Sequence, residues 1–448
     1  MSTRKSDKMA NWPIGKLLYS MSLPAVFSML VQAMYNIVDT MYVSQLGEKA
    51  LFAIGLVFPL QMLVLSIGLG TGAGVGTVVA RRLGEKRYEE ANKTATYGVI
   101  ITFVHFVITA ICGLLFSRAF LHLFTNDMVA IDMGHTYLLI VMGLCFGQMF
   151  SILFERILQS TGNMMIPMAA QLVGAITNII LDPIMIFGYF GLPAMGIAGA
   201  AYATVIGQVL GCVVCVVALF AGKHEIVISF NDLDYDADRL KYIYVMGLPV
   251  MIMNAIGSVT TTCLNKVLIS FGENAVMALT LYFKVQSFVF MPVFGFNQGS
   301  LPILSYNYGA KNKERYIKTV KLFALSATCF LALGTIVFHL QTDALVNIFN
   351  ASEQLLTVAR VAFRIISLSF VLAGFTIVMT SVFQSLGSSV TSMFISILRQ
   401  IGFLIPLAII LGKLWGLNAL WFAYPCAEGL VVIIFLPIAL RKIKKAFN

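Results

Sequence analysis

The stretch KLLYSMSLP, from Lys16 to Pro24, returns as KYIYVMGLP from Lys241 to Pro249, and this 225-residue spacing decides the architecture. The same ungapped offset carries Gly47-Glu48 onto Gly272-Glu273, Phe58 onto Phe283, Gln61 onto Gln286, Gly74 onto Gly299 and Gly84 onto Gly309. Farther along it sets LQSTG, ending at Gly162, on FQSLG, ending at Gly387, and Gly191-Leu192 on Gly416-Leu417. Apolar composition alone produces scattered Leu and Val matches. It does not hold Pro, Gln, Gly and Lys in register from Lys16 to Leu192, so the chain reads as two tandem copies of one unit.

Each copy is built for lipid. Of 448 residues, 59% are hydrophobic and 11% charged, whereas a soluble chain carries roughly a quarter of its residues as Asp, Glu, Lys or Arg. A bilayer core needs ~20 apolar residues per helix. Twelve such stretches occur, at 15–42, 51–80, 94–116, 134–158, 165–189, 194–220, 243–267, 275–305, 319–340, 357–384, 390–412 and 416–440. Long apolar runs exclude a β-barrel, whose strands alternate over short segments. The expected fold is an all-α polytopic membrane protein of twelve transmembrane helices in two pseudo-symmetric six-helix bundles. Residues 14–221 form the amino-terminal lobe, 242–440 the carboxyl-terminal lobe and 222–241 a cytoplasmic linker, with tails at 1–13 and 441–448. Six spans per copy give both lobes the same direction across the membrane.

Charge orients the chain. Lys and Arg number 22 in the tail through Lys16, the 81–93 loop, Arg156, the 223–241 segment, the 311–321 loop and the C-terminal tail. The opposite loops hold only Lys49, Arg118, Lys266 and Lys413. This positive-inside pattern predicts both termini in the cytoplasm and an even number of spans, for a protein of the inner membrane. The net charge of +10 is therefore topological, and no soluble segment is long enough to present a nucleic-acid surface. No cleavable signal peptide is expected at the N-terminus. The seven cysteines fall in or beside apolar spans; Cys212 and Cys215 form a C-x-x-C within one membrane helix and read as small hydrophobes. The linker aspartates Asp232, Asp234, Asp236 and Asp238 lack the Gly and terminal Glu of a calcium-binding loop, so a solvated connection is expected.

A charge within the bilayer costs ~3 kcal/mol even on lenient scales, which makes intramembrane ionisable groups functional candidates. Gln32, Asn36 and Asp39 share one helix face, as do Asn178 and Asp182. Pro183 frees a backbone carbonyl one turn back, an additional oxygen or a bending point. Counting ~1.5 Å per residue puts Asp39, Asp182 and Thr204 in the outer half of the membrane. Two carboxylates with Asn and Thr oxygens can coordinate sodium or share a proton; alternatively each Asp caps a helix end. In the second copy Lys284, Arg399 and Glu428 lie near mid-depth, as an Arg399–Glu428 ion pair or, for Lys284, a gating or substrate group. Arg360 and Arg364 can snorkel, and Glu155-Arg156 reads as an interfacial anchor. Tyr35, Met62, Phe146 and Gln148 are nominated as facing a substrate cavity, alongside Gln32, Asn36 and Lys284.

Phosphate-binding, serine-nucleophile and zinc-protease motifs are absent, so no enzyme, no cofactor and no ATP are expected, and transport must draw on an ion gradient. The run IGLGTGAGVG, Ile67 to Gly76, has dinucleotide-like glycine spacing but no preceding strand; close helix packing is the expectation.

Six segments together resemble the multidrug and toxic compound extrusion (MATE) transporters, in particular MepA-like bacterial members. They are LPAVFSMLVQAMYNIVDTMYVSQLG from Leu23, VARRLGEKRYEEA from Val79, ERILQSTGN from Glu155, TNIILDPIMIFG from Thr177, MGIAGAAYATVIGQ from Met195 and FNQGSLPILSYNYGAKN from Phe296. The resemblance implies two six-helix bundles around a central cleft, and antiport of amphipathic organic cations such as drugs and dyes against protons or sodium. It carries the cation site, including any sodium, onto Asp39, Asn178, Asp182 and Thr204. Acidic residues that other branches place on helices seven and ten are missing here, where helix seven offers Asn254 and Thr260–Thr262, so coupling is assigned to the first lobe. Ser44 stands where many members have Gly. Membrane lipid is the surrounding partner and a monomer is expected. A lipid or lipid-linked-precursor flippase of the same superfamily, and a non-transporting receptor, are the competing readings.

Overall fold

The computed structural model describes residues 8–221, 225–231, 236–347 and 352–447, apart from the side chains of Asn36, Ile37, Thr40, Ser44, Glu48, Leu51 and Ser258. Asp232 and Asp234 of the linker therefore lie outside the described residues. Among those described, every regular element is helical. The first copy contains α1 (Ile14–Ser44), α2 (Glu48–Gly84), α3 (Tyr88–His122), α4 (Met128–Gly143), α5 (Phe146–Ser160), α6 (Met165–Phe187) and α7 (Ile197–Ala221). The second contains α8 (Ala237–Leu268), α9 (Glu273–Gly309), α10 (Lys313–Leu340), α11 (Glu353–Ser367), α12 (Ser369–Ser385), α13 (Ser389–Ile397), α14 (Ile405–Trp415) and α15 (Ala423–Ala446). Ten helical segments are individually long and apolar enough to cross a membrane. Two expected spans are bent: α4 meets α5 at 43° and α11 meets α12 at 44°, which brings the number to twelve when each pair counts as one crossing.

The repeat is written into the backbone. Gly47 and Gly272 begin α2 and α9 with φ of 100° and 113°, a region that a side chain rarely tolerates. Lys86 and Lys311, equivalent by the 225-residue offset, share left-handed φ values of 60° and 53°. Each ends its helix in the same way. Arg87 N–H donates to Arg82 O at 2.9 Å and Asn312 N–H to Asn307 O at 3.0 Å, the long turn that satisfies the last carbonyls of α2 and α9.

The described residues divide into two compact units. Unit 1 holds Phe27–Met251 with the first residues of the chain, and unit 2 holds Ala10–Val26 with Ile252–Asn448. The changes of unit fall at 26/27 and 251/252, equivalent points just after Pro24 and Pro249. Glycine makes each attachment close. Within unit 1, a Cβ on Gly70 would sit 2.8 Å from Gly247 O, and one on Gly74 2.7 Å from Ile243 O. Within unit 2, the equivalent Gly295 and Gly299 leave the same room for Val26 and Ser22, at 2.6 and 2.8 Å to their backbones. The alternate glycines of the run serve a different neighbour, since Gly72 and Gly76 receive Arg156 and Ile152 of α5. Close packing is what the sequence led us to expect of this run. Arg156 and Glu155, read as an interfacial anchor, are instead packed inside unit 1. Glu155 is buried and accepts from Gln171 Nε2 of α6 at 2.8 Å and from Ser151 Oγ at 3.3 Å, bonds that offset the cost of its burial.

The cores differ in kind. Unit 1 packs mainly aliphatic and small side chains such as Val57, Val64, Leu138 and Ala200. Unit 2 centres on rings, with Tyr282 edge-on to Phe338 and Phe363 at centroid distances of 6.0 and 5.7 Å.

Candidate functional site

In unit 1, α6 and α7 approach backbone to backbone. A Cβ on Gly207 would lie 2.6 Å from Gly174 O, and one on Gly199 2.5 Å from Met185 O. This closeness lets short side chains one turn away meet across the helices. Asn178 Nδ2 donates to Asp182 Oδ1 on its own helix at 3.2 Å and to Thr204 Oγ1 on α7 at 3.3 Å. All three are buried, with Asp182 fully enclosed. Asp39, late on α1, brings its carboxyl into direct contact with that of Asp182. The four residues expected to form the cation site are therefore together within one unit.

The donors and acceptors there do not balance. Asn178 uses its amide N–H groups on Asp182 and Thr204, yet Asp39 Oδ1, Asn178 Oδ1 and Asp182 Oδ2 are buried with no donor among the described residues. An unsatisfied buried polar atom costs about 1–3 kcal/mol, and two carboxylates in contact add mutual repulsion. A cation among these oxygens relieves both. Among the described residues no cluster of three His, Cys, Asp or Glu groups forms a transition-metal site, and an all-oxygen set of this kind suits a proton or a hard monovalent ion.

Two residues that sequence reasoning passed over complete the surroundings. Tyr137 on α4 is buried, accepts from Gln61 Nε2 of α2 at 2.9 Å, and reaches Thr204 with its hydroxyl. Gln61 drew notice only as a repeat landmark, and a Tyr in an apolar half-span carries no distinguishing local pattern. Of the nominated cavity residues, Tyr35 lies within electrostatic reach of both carboxyls. Gln32 is exposed, Met62 and Gln148 are half-buried, and Phe146 packs edge-on to Phe106 at 5.9 Å. The side chain of Asn36 lies outside the described residues. Lys284 is exposed on α9 of unit 2, away from this cluster in sequence and unit. Arg399 and Glu428 form an ion pair in unit 2 at 2.6 Å. Arg360 grips Asp343 with two bonds of 2.8 and 2.9 Å beyond the end of α10.

The family model for MatE matches this chain twice, over residues 24–184 and 249–410, with starts separated by the repeat offset of 225. The chain belongs to the MatE family. Members of this family are membrane transporters and not enzymes; their transport is ion-coupled and needs no cofactor. The chain is thus a multi-span membrane protein of a bacterial transporter family. Over 94% of its length it is 25% identical to a FAD transporter of Shewanella oneidensis, covering 93% of that protein. It is equally 25% identical to the multidrug export protein MepA of Staphylococcus aureus, covering 92%. Its fold matches a MATE protein solved in complex with MaL6, with a TM-score of 0.93 at 24% identity over 99% of both chains. An outward-facing multidrug resistance MATE family transporter of the MOP superfamily gives the same TM-score, covering 100% of this chain and 99% of the other at 24% identity. In this MatE transporter the double match falls on the two copies that the sequence repeat defines.

Proposed function

We propose that this MatE chain is a secondary-active antiporter that exports amphipathic organic cations in exchange for protons or sodium. The observation carrying the reading is the set of three buried acceptor oxygens, on Asp39, Asn178 and Asp182, that lack donors. Asp39 and Asp182 hold the coupling ion, with Asn178 orienting Asp182 and Thr204 contributing an oxygen. Asp39 stands on the same helix as Pro24, whose missing N–H weakens the helix at that turn, so loading of the site can be coupled to bending of α1. Tyr35, with Gln32, Asn36, Met62, Phe146 and Gln148, provides the aromatic and soft surface suited to varied cations.

The lobes 14–221 and 242–440, a monomeric state, independence from ATP and an inner-membrane location with both termini cytoplasmic belong to the same proposal. They rest on the repeat and on the placement of basic residues. The name of the S. aureus relative supports drug efflux, and that of the S. oneidensis relative makes FAD the first alternative cargo. The test is ethidium efflux from energised cells or inverted vesicles under a proton gradient and then a sodium gradient. Wild type should transport under one of them and Asp39→Asn under neither. No efflux by wild type with either gradient sinks the drug-export reading.

A further inference from the structure

Unit 2 contains a cavity of about 250 Å³ that takes no part in the cation site. At ~30 Å³ per water molecule this is room for roughly eight, the size of a single-ring organic compound. Its wall joins aromatic rings, Tyr282, Phe290 and Tyr424 among them, to the Arg399–Glu428 pair. Arg399 sits in a π-helical turn, Leu398–Leu404, between α13 and α14, a local widening often found where a helix serves a function. At the equivalent point unit 1 has Gly174, where two helices close backbone to backbone; unit 2 has a guanidinium and open space.

The balance of hydrogen-bonding groups here is the reverse of that in unit 1. Glu428 is fully engaged, with Oε1 accepting from Arg399 Nη1 at 2.6 Å and Oε2 from Thr376 Oγ1 at 2.8 Å. Arg399 Nε, Tyr282 Oη and Tyr424 Oη are buried with no partner among the described residues. The two tyrosine rings are neighbours, with centroids 6.3 Å apart, and both residues line the same cavity as Arg399. Three donors without a partner thus belong to residues of one cavity wall, whose one carboxylate is already committed. A ligand that fits brings acceptor oxygens for Arg399 and the two phenols, and a flat apolar body for the rings; charge-assisted contacts of this type are the strong ones.

We infer that this cavity is a second binding site, specific for a small aromatic carboxylate. It is independent of the cation site and holds whether or not Asp39 and Asp182 couple transport.

The test uses the full-length protein in lipid nanodiscs and three single-ring probes, benzoate, its neutral isostere benzamide and the cation benzylammonium, followed by calorimetry. Benzoate should bind, benzamide about ten-fold more weakly, and benzylammonium not measurably. Arg399→Lys keeps a cation beside Glu428 but removes the Nε donor, and should weaken benzoate about ten-fold. Tyr282→Phe and Tyr424→Phe remove only the unpartnered hydroxyl. Each should weaken benzoate several-fold while the melting temperature without ligand stays level or rises, a combination that a purely structural role does not produce. These two variants also decide the matter should Arg399→Lys fold poorly. Asp39→Asn should leave benzoate affinity unchanged; its loss there would put the compound in unit 1 and overturn the inference. Equal binding of benzoate and benzamide, a preference for benzylammonium, or unaltered affinity in both tyrosine variants would overturn it as well.

Discussion

Units 1 and 2 share a backbone plan and differ in the chemistry at the crossing of their last helices. Asp39, Asn178, Asp182 and Thr204 of unit 1 correspond to Leu264, Phe403, Leu407 and Gly429 of unit 2. Arg399 and Glu428 of unit 2 correspond to Gly174 and Ala203 of unit 1. Neither polar cluster has a counterpart. Unit 1 is left with unpartnered acceptors around two carboxylates, and unit 2 with unpartnered donors around an ion pair. Bends, left-handed residues and glycine contacts occupy matching positions, because the packing of a six-helix unit needs them in both copies. Side chains facing the interior of each unit are under no such constraint. Duplication thus supplied one scaffold twice, and each copy holds a different kind of charge.

The largest effect should come from giving unit 1 the residue of unit 2. Asp39→Leu should reduce gradient-driven ethidium efflux to the level of vesicles lacking the protein, and adding Leu264→Asp should not restore it. Leu264 is buried in unit 2, where Phe403, Leu407 and Gly429 stand at the positions of Asn178, Asp182 and Thr204, so an Asp there finds none of the other groups of the site. Efflux retained by Asp39→Leu would remove the contrast between the units.

Second in size is the ion pair. Arg399→Met leaves Glu428 buried without its cation and should destabilise the protein by about 3 kcal/mol, the low end of the usual range since Arg399 is partly exposed to the cavity. Combining it with Glu428→Leu should return stability to within about 1 kcal/mol of wild type, because the charge left unpaired causes most of the loss. Thermal unfolding in detergent measures both. Additive losses would mean that the two side chains act separately.

Third are the glycine contacts, where the units should behave alike. Gly70→Ala and Gly295→Ala both push a methyl group into backbone, at 2.8 Å from Gly247 O and 2.6 Å from Val26 Cα, and each should cost about 1–3 kcal/mol. Gly257→Ala on α8, with nothing within 4 Å, should be neutral or stabilising by up to ~1 kcal/mol. Sensitivity in one unit alone would mean that the two helix attachments are not equivalent.

Much of this plan was legible in the amino-acid sequence, for reasons that particular residues make clear. Pro24/Pro249 and Gly47/Gly272 are landmarks that apolar composition does not supply by itself, so their recurrence at one fixed offset, with Lys16/Lys241 and Gln61/Gln286 beside them, exposes the repeat. Asp39 and Asp182 stand out because a carboxylate in an apolar span is costly. Tyr137 does not, as a Tyr among apolar residues is ordinary and only the fold brings its hydroxyl to Thr204. The burial of Glu155 was equally hidden, since a charged residue near a helix end reads as an anchor until Gln171 is seen to reach it. Arg399 lies in a π-helical turn, which no local pattern in LRQIGFL announces.

The smallest effect concerns helix starts, where the repeat keeps the position and changes the group. Asp127 caps α4, accepting from Val129 N–H at 3.0 Å, and the equivalent Ser352 caps α11, accepting from Leu355 N–H at 3.3 Å. Ser352→Ala should therefore cost about 1 kcal/mol. Only the first cap titrates. The bond from Lys49, followed by the N–H groups of Val129 and Ala130, holds the Asp127 carboxyl below its usual range. A carboxyl depressed in the folded state stabilises it fully above the ordinary value, ~3.9, and loses that contribution as pH falls through the folded-state value. Amide exchange at the start of α4 should accordingly accelerate, beyond the intrinsic dependence on pH, as the solution is acidified below the ordinary Asp range. The start of α11, capped by a hydroxyl, should show no such acceleration; matching profiles at the two helices would mean that the Asp127 charge contributes nothing to its cap.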